Sequence, residues 1–188
     1  MLADDLYVAL IHFPVMNKNG NPIGSALTTI DLHDIARASI TFGVNGFYVI
    51  TPYADQAKLA TQVIEHWTKG VGGKLNPYRK KALELIRVAR TFEDAVHAIE
   101  KETEKKVTTI ATSAKKLPGS LTAEALKQNR TTNVTAHVIS FGTAWGLADE
   151  FIDKCDFILD PILGNTAYNH LSVRSAASIY LDRIINGR

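Results

Sequence analysis

The sequence predicts an α/β layer fold with a mostly parallel sheet flanked by helices. Short apolar runs rich in β-branched and aromatic residues alternate with longer stretches of helical periodicity, the pattern of repeated strand–helix units. Two C-terminal strand ends run into unusual loops, which points to a binding crevice at the carboxyl edge of the sheet. At 188 residues, 46% hydrophobic and 21% charged, the chain suits one globular domain over residues 1–188 with a core of its own.

Each element has a local reason. Residues 6–13 (LYVALIHF) read as a buried strand ended by Pro14. The following MNKNGNPIG carries Asn19-Gly20 and Pro22 and reads as a loop or loose hairpin. Residues 32–42 form a helix with Ile35, Ala36, Ser39 and Ile40 on one face, Asp31 as N-cap and Gly43 as the left-handed stop. Residues 47–51 (FYVIT) are a second strand. Residues 54–69 are an amphipathic helix with Leu59, Val63, Ile64 and Trp67 inward, broken by Gly70, Gly72 and Gly73. Pro77 suits the first turn of a basic helix over 77–89. A helix over 92–105, a strand over 107–112, a short helix over 121–128 and a strand over 134–141 follow. Residues 147–154 read as helical and 157–159 as a short strand. The last helix, 172–185, has Ser172 as N-cap and a stripe of Val173, Ala176, Ala177, Tyr180, Leu181, Ile184 and Ile185.

Several chemistries are excluded. The single cysteine, Cys155, allows neither an intrachain disulfide nor a Cys-rich zinc site. GVGGKL follows a helix and lacks the Ser or Thr of a phosphate-binding P-loop after Lys74. No GxGxxG, GxSxG or HExxH occurs, and the spellings at 129–131 and 133–135 are glycosylation sequons in letter only. No run approaches the ~20 apolar residues of a membrane span. Asp4 and Asp5 stand where a signal peptide would be basic, so the expectation is a cytoplasmic protein.

Net charge is only +2, so any nucleic-acid footprint must come from clustering. Lys69, Lys74, Arg79, Lys80, Lys81, Arg87 and Arg90 lie together against one acid, Glu84. They form either a solvated helix face or a phosphate-contacting patch, with Arg79, Lys80 and Lys81 the candidate RNA-binding residues.

Three motifs carry a resemblance. The first runs Asp31-Leu-His-Asp-Ile-Ala-Arg37, then Phe42-Gly43-Val44. The second is Ile139-Ser-Phe141-Gly142-Thr143-Ala-Trp-Gly146-Leu147. The third places Ile162 nine residues before Leu171, within HLSVRSAA. In order and spacing these resemble the SpoU-type motifs of the SPOUT superfamily of S-adenosylmethionine-dependent RNA methyltransferases. Asp31 stands where that family has Asn, His33 where it has Gly, and Ser172 at a second Asn position. The resemblance covers roughly the first 50 and last 80 residues. The segment 54–106 matches none of it and reads as an elaboration, helical and basic at about 70–106.

The resemblance implies a C-terminal trefoil knot, a homodimer, S-adenosylmethionine as cofactor without a metal, and an RNA partner, tRNA or rRNA. It implies a cofactor site made of Thr112, the 141–146 loop (Phe141, Gly142, Thr143, Gly146) and the knotted loop (Ile162, Leu163, His170, Leu171, Ser172), gripping the adenine largely by backbone groups. Arg37 would be the catalytic arginine. Arginine stays protonated near neutral pH, so its role would be to hold a phosphate or a developing negative charge and not to take a proton. The departures at Asp31 and Ser172 leave ribose and base methylation both open. They also give weight to a second hypothesis, an inactive module that binds cofactor and RNA. A third, an unrelated α/β nucleotide-binding enzyme, has no motif of its own. Trp145 is either packed or a wall of the ligand pocket.

Overall fold

The computed structural model describes residues 5–129 and 134–187. The chain runs β1 (Leu6–Ile11), β2 (Val15–Met16), β3 (Pro22–Ile23), α1 (Thr29–Thr41), β4 (Gly46–Ile50), α2 (Ala54–Thr68), α3 (Val71–Leu75) and α4 (Pro77–Leu83). It continues through β5 (Ile86–Ala89), α5 (Phe92–Thr103), β6 (Lys106–Thr112), α6 (Ala123–Asn129), β7 (Thr135–Gly142), α7 (Asp149–Ile152), β8 (Phe157–Leu159) and α8 (Val173–Asn186).

Six strands pair in the order β5-β4-β1-β7-β6-β8, every pair parallel. β1 sits between β4 and β7, so all of its side chains are buried, as expected for a parallel strand covered on both faces. Its alternate residues feed two cores. Leu6, Val8 and Leu10 pack with Leu32, Ile35 and Ala36 of α1, Leu83 of α4 and Leu181 and Ile184 of α8. Tyr7, Ala9 and Ile11 pack with Ala95 and Ile99 of α5 and Phe151 and Ile152 of α7. The result is a helix–sheet–helix sandwich with the two special loops on one edge.

Several expectations are met closely. Gly43 has φ +72° directly after α1, Pro77 occupies the first turn of α4 with Asn76 capping the Arg79 amide, and the Ser172 hydroxyl caps α8. MNKNGNPIG forms the turn of the two-stranded β2–β3 pair, which starts one residue earlier at Val15.

Others are corrected. The basic helix ends at Leu83, and residues 86–89 form edge strand β5 beside β4, because Ile86 and Val88 supply the β-branched alternation that a half-covered edge needs. α1 begins at Thr29 with Thr28 as N-cap; Asp31 lies in the first turn, where its carboxylate takes the Thr28 hydroxyl. On α2 the buried residue is Ala60, with Val63, Ile64 and Trp67 partly covered, while Leu59 faces solvent. The helix expected over 147–154 is the single turn α7. Asp4 and the sequon positions 130, 131 and 133 lie outside the described residues.

Candidate active site

β7, β6 and β8 are parallel neighbours, so their carboxyl ends, Gly142, Thr112 and Leu159, lie on one edge of the sheet. Three loops leave from there, and they touch. The Asp160 carboxylate accepts from Lys116 Nζ and Ser120 Oγ, both at 2.5 Å, and Lys116 in the first place holds it below the usual carboxylate range. Asn169 Nδ2 donates to the Ala114 carbonyl at 2.6 Å. The His170 ring lies 6.5 Å from Trp145 and 5.4 Å from Tyr168, centroid to centroid.

Many side chains named from sequence prove to be fasteners. The buried Thr112 hydroxyl donates to the Ser140 carbonyl at 2.9 Å. Phe141 is fully buried against Tyr180. Thr143 donates to the Ile11 carbonyl and stands 2.5 Å from Ser25 Oγ, which in turn meets the buried His12 ring. Gly142 has no room for a side chain: a Cβ there would lie 2.4 Å from the Leu147 amide nitrogen, so its role is to let the loop fold back on itself. Gly146 has φ +105° with open space around it. The loop is sewn to β2 through Met16 N to Gly146 O and Trp145 N to Met16 O.

The 161–171 loop is different in kind. Ile162 packs on the core, and the Tyr180 hydroxyl donates to the Asp160 carbonyl at 2.6 Å, its burial pushing it up to about 12. Among the described residues, no backbone–backbone hydrogen bond involves positions 161–171. Leu163, Tyr168, Leu171 and, across the gap, Trp145 are exposed. Apart from the Tyr168 amide, which donates to Thr166 Oγ1, and Ile162, which meets the Tyr180 hydroxyl, the loop turns backbone groups without a backbone partner beside uncovered apolar surface; this fits a purine ring recognised by backbone contacts, so these residues suit the adenosyl group of S-adenosylmethionine. Trp145 is therefore not a packed core residue.

Arg37 points outward from α1, 59% exposed, and its guanidinium lies 3.9 Å from Asp34. It lines a groove of about 580 Å³ between α1 and α8 with Asp34, Arg174 and Ser175. Arg174, absent from the sequence expectations, binds Asp31 at 3.0 Å and Asp34 at 3.5 Å. It follows Leu171 by three positions, and so joins the third motif to the first. The basic cluster is divided. Arg79 lies over the Trp67 ring at 4.7 Å, Lys80 stands 3.9 Å from Glu84, and Lys81 is exposed. Arg87 is bidentate on Glu102 and bonded to Tyr48, so it is a structural residue of β5.

Among the described residues, no group of three or more His, Cys, Asp or Glu side chains is placed to hold a metal ion, and no helix is long and apolar enough to cross a membrane. A family model described as SAM-dependent RNA methyltransferase matches residues 5–186. The chain belongs to that family. That family's description names S-adenosylmethionine as the cofactor and RNA as the substrate class. The chain is 44% identical over 181 residues to a tRNA (guanine-N(1)-)-methyltransferase of Oleidesulfovibrio alaskensis, covering 96% of this chain but only 42% of that one. It is 34% identical over 186 residues to an uncharacterized protein of Aquifex aeolicus, covering 99% and 91% of the two chains. Its fold resembles the SpoU methyltransferase AviRb of Streptomyces viridochromogenes in complex with AdoMet, at TM-score 0.56 and 15% identity, covering 98% and 58%. The fold is thus the one seen in this SpoU methyltransferase, as the chain's three motifs led us to expect.

Proposed function

We propose that this methyltransferase acts on a nucleotide of tRNA, with the cofactor in the loops after β6, β7 and β8 and Arg37 facing the acceptor. One observation carries the reading: Arg174 ties the outgoing end of the 161–171 loop to α1, the helix that bears Arg37. The tRNA assignment is supported by the name of the Oleidesulfovibrio relative, of whose length this chain spans 42%.

When bound, S-adenosylmethionine would supply an electrophilic methyl group to an acceptor nitrogen or oxygen of the RNA, leaving as adenosylhomocysteine while the acceptor's proton passes to solvent. The chain's work is alignment. Leu163, Leu171 and Trp145 would cover the adenosyl group, and backbone groups of 161–171 without a backbone partner would read its polar edge. Arg37 offers a planar fork to a phosphate or to negative charge developing on the acceptor. Asp31, already engaged by Thr28 and Arg174, is held as a structural anion.

The same reading takes residues 1–188 as one domain with a knotted C-terminal path, supported by the likeness in fold to AviRb. It takes the α1–α8 groove as the seat of a homodimer and Arg79, Lys80 and Lys81 as part of the RNA track, in a cytoplasmic protein. The test is tritiated-methyl transfer from S-adenosylmethionine to purified tRNA and, separately, to ribosomal RNA. Labelling of tRNA is expected. Labelling of ribosomal RNA alone overturns the tRNA assignment.

A further inference from the structure

We propose that the outer side of α3 and α4 is a platform on which an unpaired base of the RNA substrate stacks, Tyr78 supplying the ring and Lys74 and Lys81 the phosphate contacts. The proposal rests on the chain acting on RNA and adds which part of an RNA it grips.

Tyr78 is 89% exposed, Leu75 81% and Val71 64%, three large apolar side chains facing water within one short helical hairpin. They face out because the other side of the hairpin is committed. A Cβ on Gly73 would lie 2.3 Å from the Trp67 carbonyl, and one on Gly72 2.8 Å from the Trp67 ring, so α3 is seated directly on the end of α2. Ala82 and Leu83 of α4 are buried in the core. The exposed trio is therefore held rigidly by glycine contacts and a packed helix.

Charge identifies the occupant. Lys74 and Lys81 are exposed and form no ion pair among the described residues, while Arg79 is laid over Trp67. A second copy of this chain docked two-fold here would set these cations against themselves, and like charges facing each other are repulsive. An RNA strand brings phosphates for the lysines and a flat base for the tyrosine. Only an unstacked base can present its face, so the preferred form is a loop or single strand. The platform is also continuous with the proposed acceptor side. His33 of α1 stands edge-on to Trp67, at 5.4 Å between centroids. Burial first, then Arg79, with Arg37 also contributing, keeps its imidazole below its ordinary value. Trp67 thus links Arg79 of the hairpin to His33 of α1, the helix that also bears Arg37.

The test uses the full chain with Tyr78→Ala and Tyr78→Phe. Anisotropy is read with a labelled unstructured RNA of about 12 nucleotides, within the usual range for such grooves, and with a blunt RNA duplex of equal length. Tyr78→Ala is expected to weaken the single strand about tenfold, the size of one stacked base, and to leave the duplex within about twofold. Tyr78→Phe keeps parental affinity. Equal loss on both RNAs, no loss on the single strand, or a parent that binds neither overturns the proposal. So does a Tyr78→Ala chain that changes only its sedimentation from dimer to monomer, which makes this face a contact between copies. Calorimetric titration with adenosylhomocysteine separates the two readings: a parent that fails to bind it undermines the methyltransferase site and leaves the stacking result standing.

Discussion

Arg174 Nη1 donates to Asp31 Oδ1 at 3.0 Å, fastening the first turn of α8 to the first turn of α1. Asp31 is 7% exposed and Arg174 is about one-third exposed at its side chain, so the carboxylate is the costlier group to strand. Arg174→Met should lower unfolding free energy by about 1–3 kcal/mol, less than a fully buried pair because water reaches the guanidinium. Asp31→Asn keeps Oδ1 as acceptor for Arg174 and turns its NH2 toward the Thr28 hydroxyl, which can accept from it, and should cost under about 1 kcal/mol. Urea unfolding of the two variants checks the order; equal losses would mean that the charge on Asp31 matters more than its hydrogen bonds.

Gly142→Ala puts a methyl group 2.4 Å from a backbone nitrogen that cannot move without reopening the 142–147 loop. It should lower stability by about 1–3 kcal/mol and weaken adenosylhomocysteine binding in calorimetry. Gly164→Ala, in the neighbouring loop, meets nothing within 4 Å and should unfold like the parent.

These two sites show what the sequence could and could not reveal. Glycine after a strand, proline at the head of α4, glycine after α1 and serine before α8 each have a local cause, and each sits where the pattern put it. β5 was hidden because Ile86-Arg-Val-Ala follows α4 without a breaker, and only pairing with β4 makes it a strand. Leu59 reads inward by period, yet the small Ala60 is what α2 buries. The purpose of Gly142 was half legible. A tight turn and a close ligand approach give the same spelling, and only the position of Leu147 favours the turn. Arg174 was illegible because its partners lie on a helix more than a hundred positions away.

His12 is wholly buried, and burial pushes its imidazole below the ordinary 6.5. Below that pH the unfolded chain takes up a proton that the folded chain refuses, so stability falls as pH drops from about 7 toward the folded value. Above it the effect vanishes. His12→Gln should flatten the change in melting temperature between about pH 7.5 and 5.5, leaving a smaller slope from His33, which is shifted the same way. An unchanged profile would assign the acid sensitivity to other groups.

Arg37→Ala removes an exposed side chain whose ion pair with Asp34 is loose, so stability should change by less than about 0.5 kcal/mol. Cofactor affinity should hold. Methyl transfer to tRNA should drop at least about a hundredfold, the usual scale for losing one group aimed at developing charge. Arg37→Lys should recover little of it, since an ammonium lacks the fork. Parental turnover by Arg37→Ala would remove this residue from the acceptor side.

The placing of β1 has a consequence for synthesis. Leu6 pairs with His137 and Ile11 with Gly142, so this wholly buried strand waits for a partner made more than a hundred residues later. At ordinary ribosome speeds that wait is on the order of ten seconds. For that time a fully greasy segment has β4 on one side and nothing on the other. A nascent chain of this kind is a natural client for chaperones, and its yield in cells should track their supply more closely than its final stability would suggest.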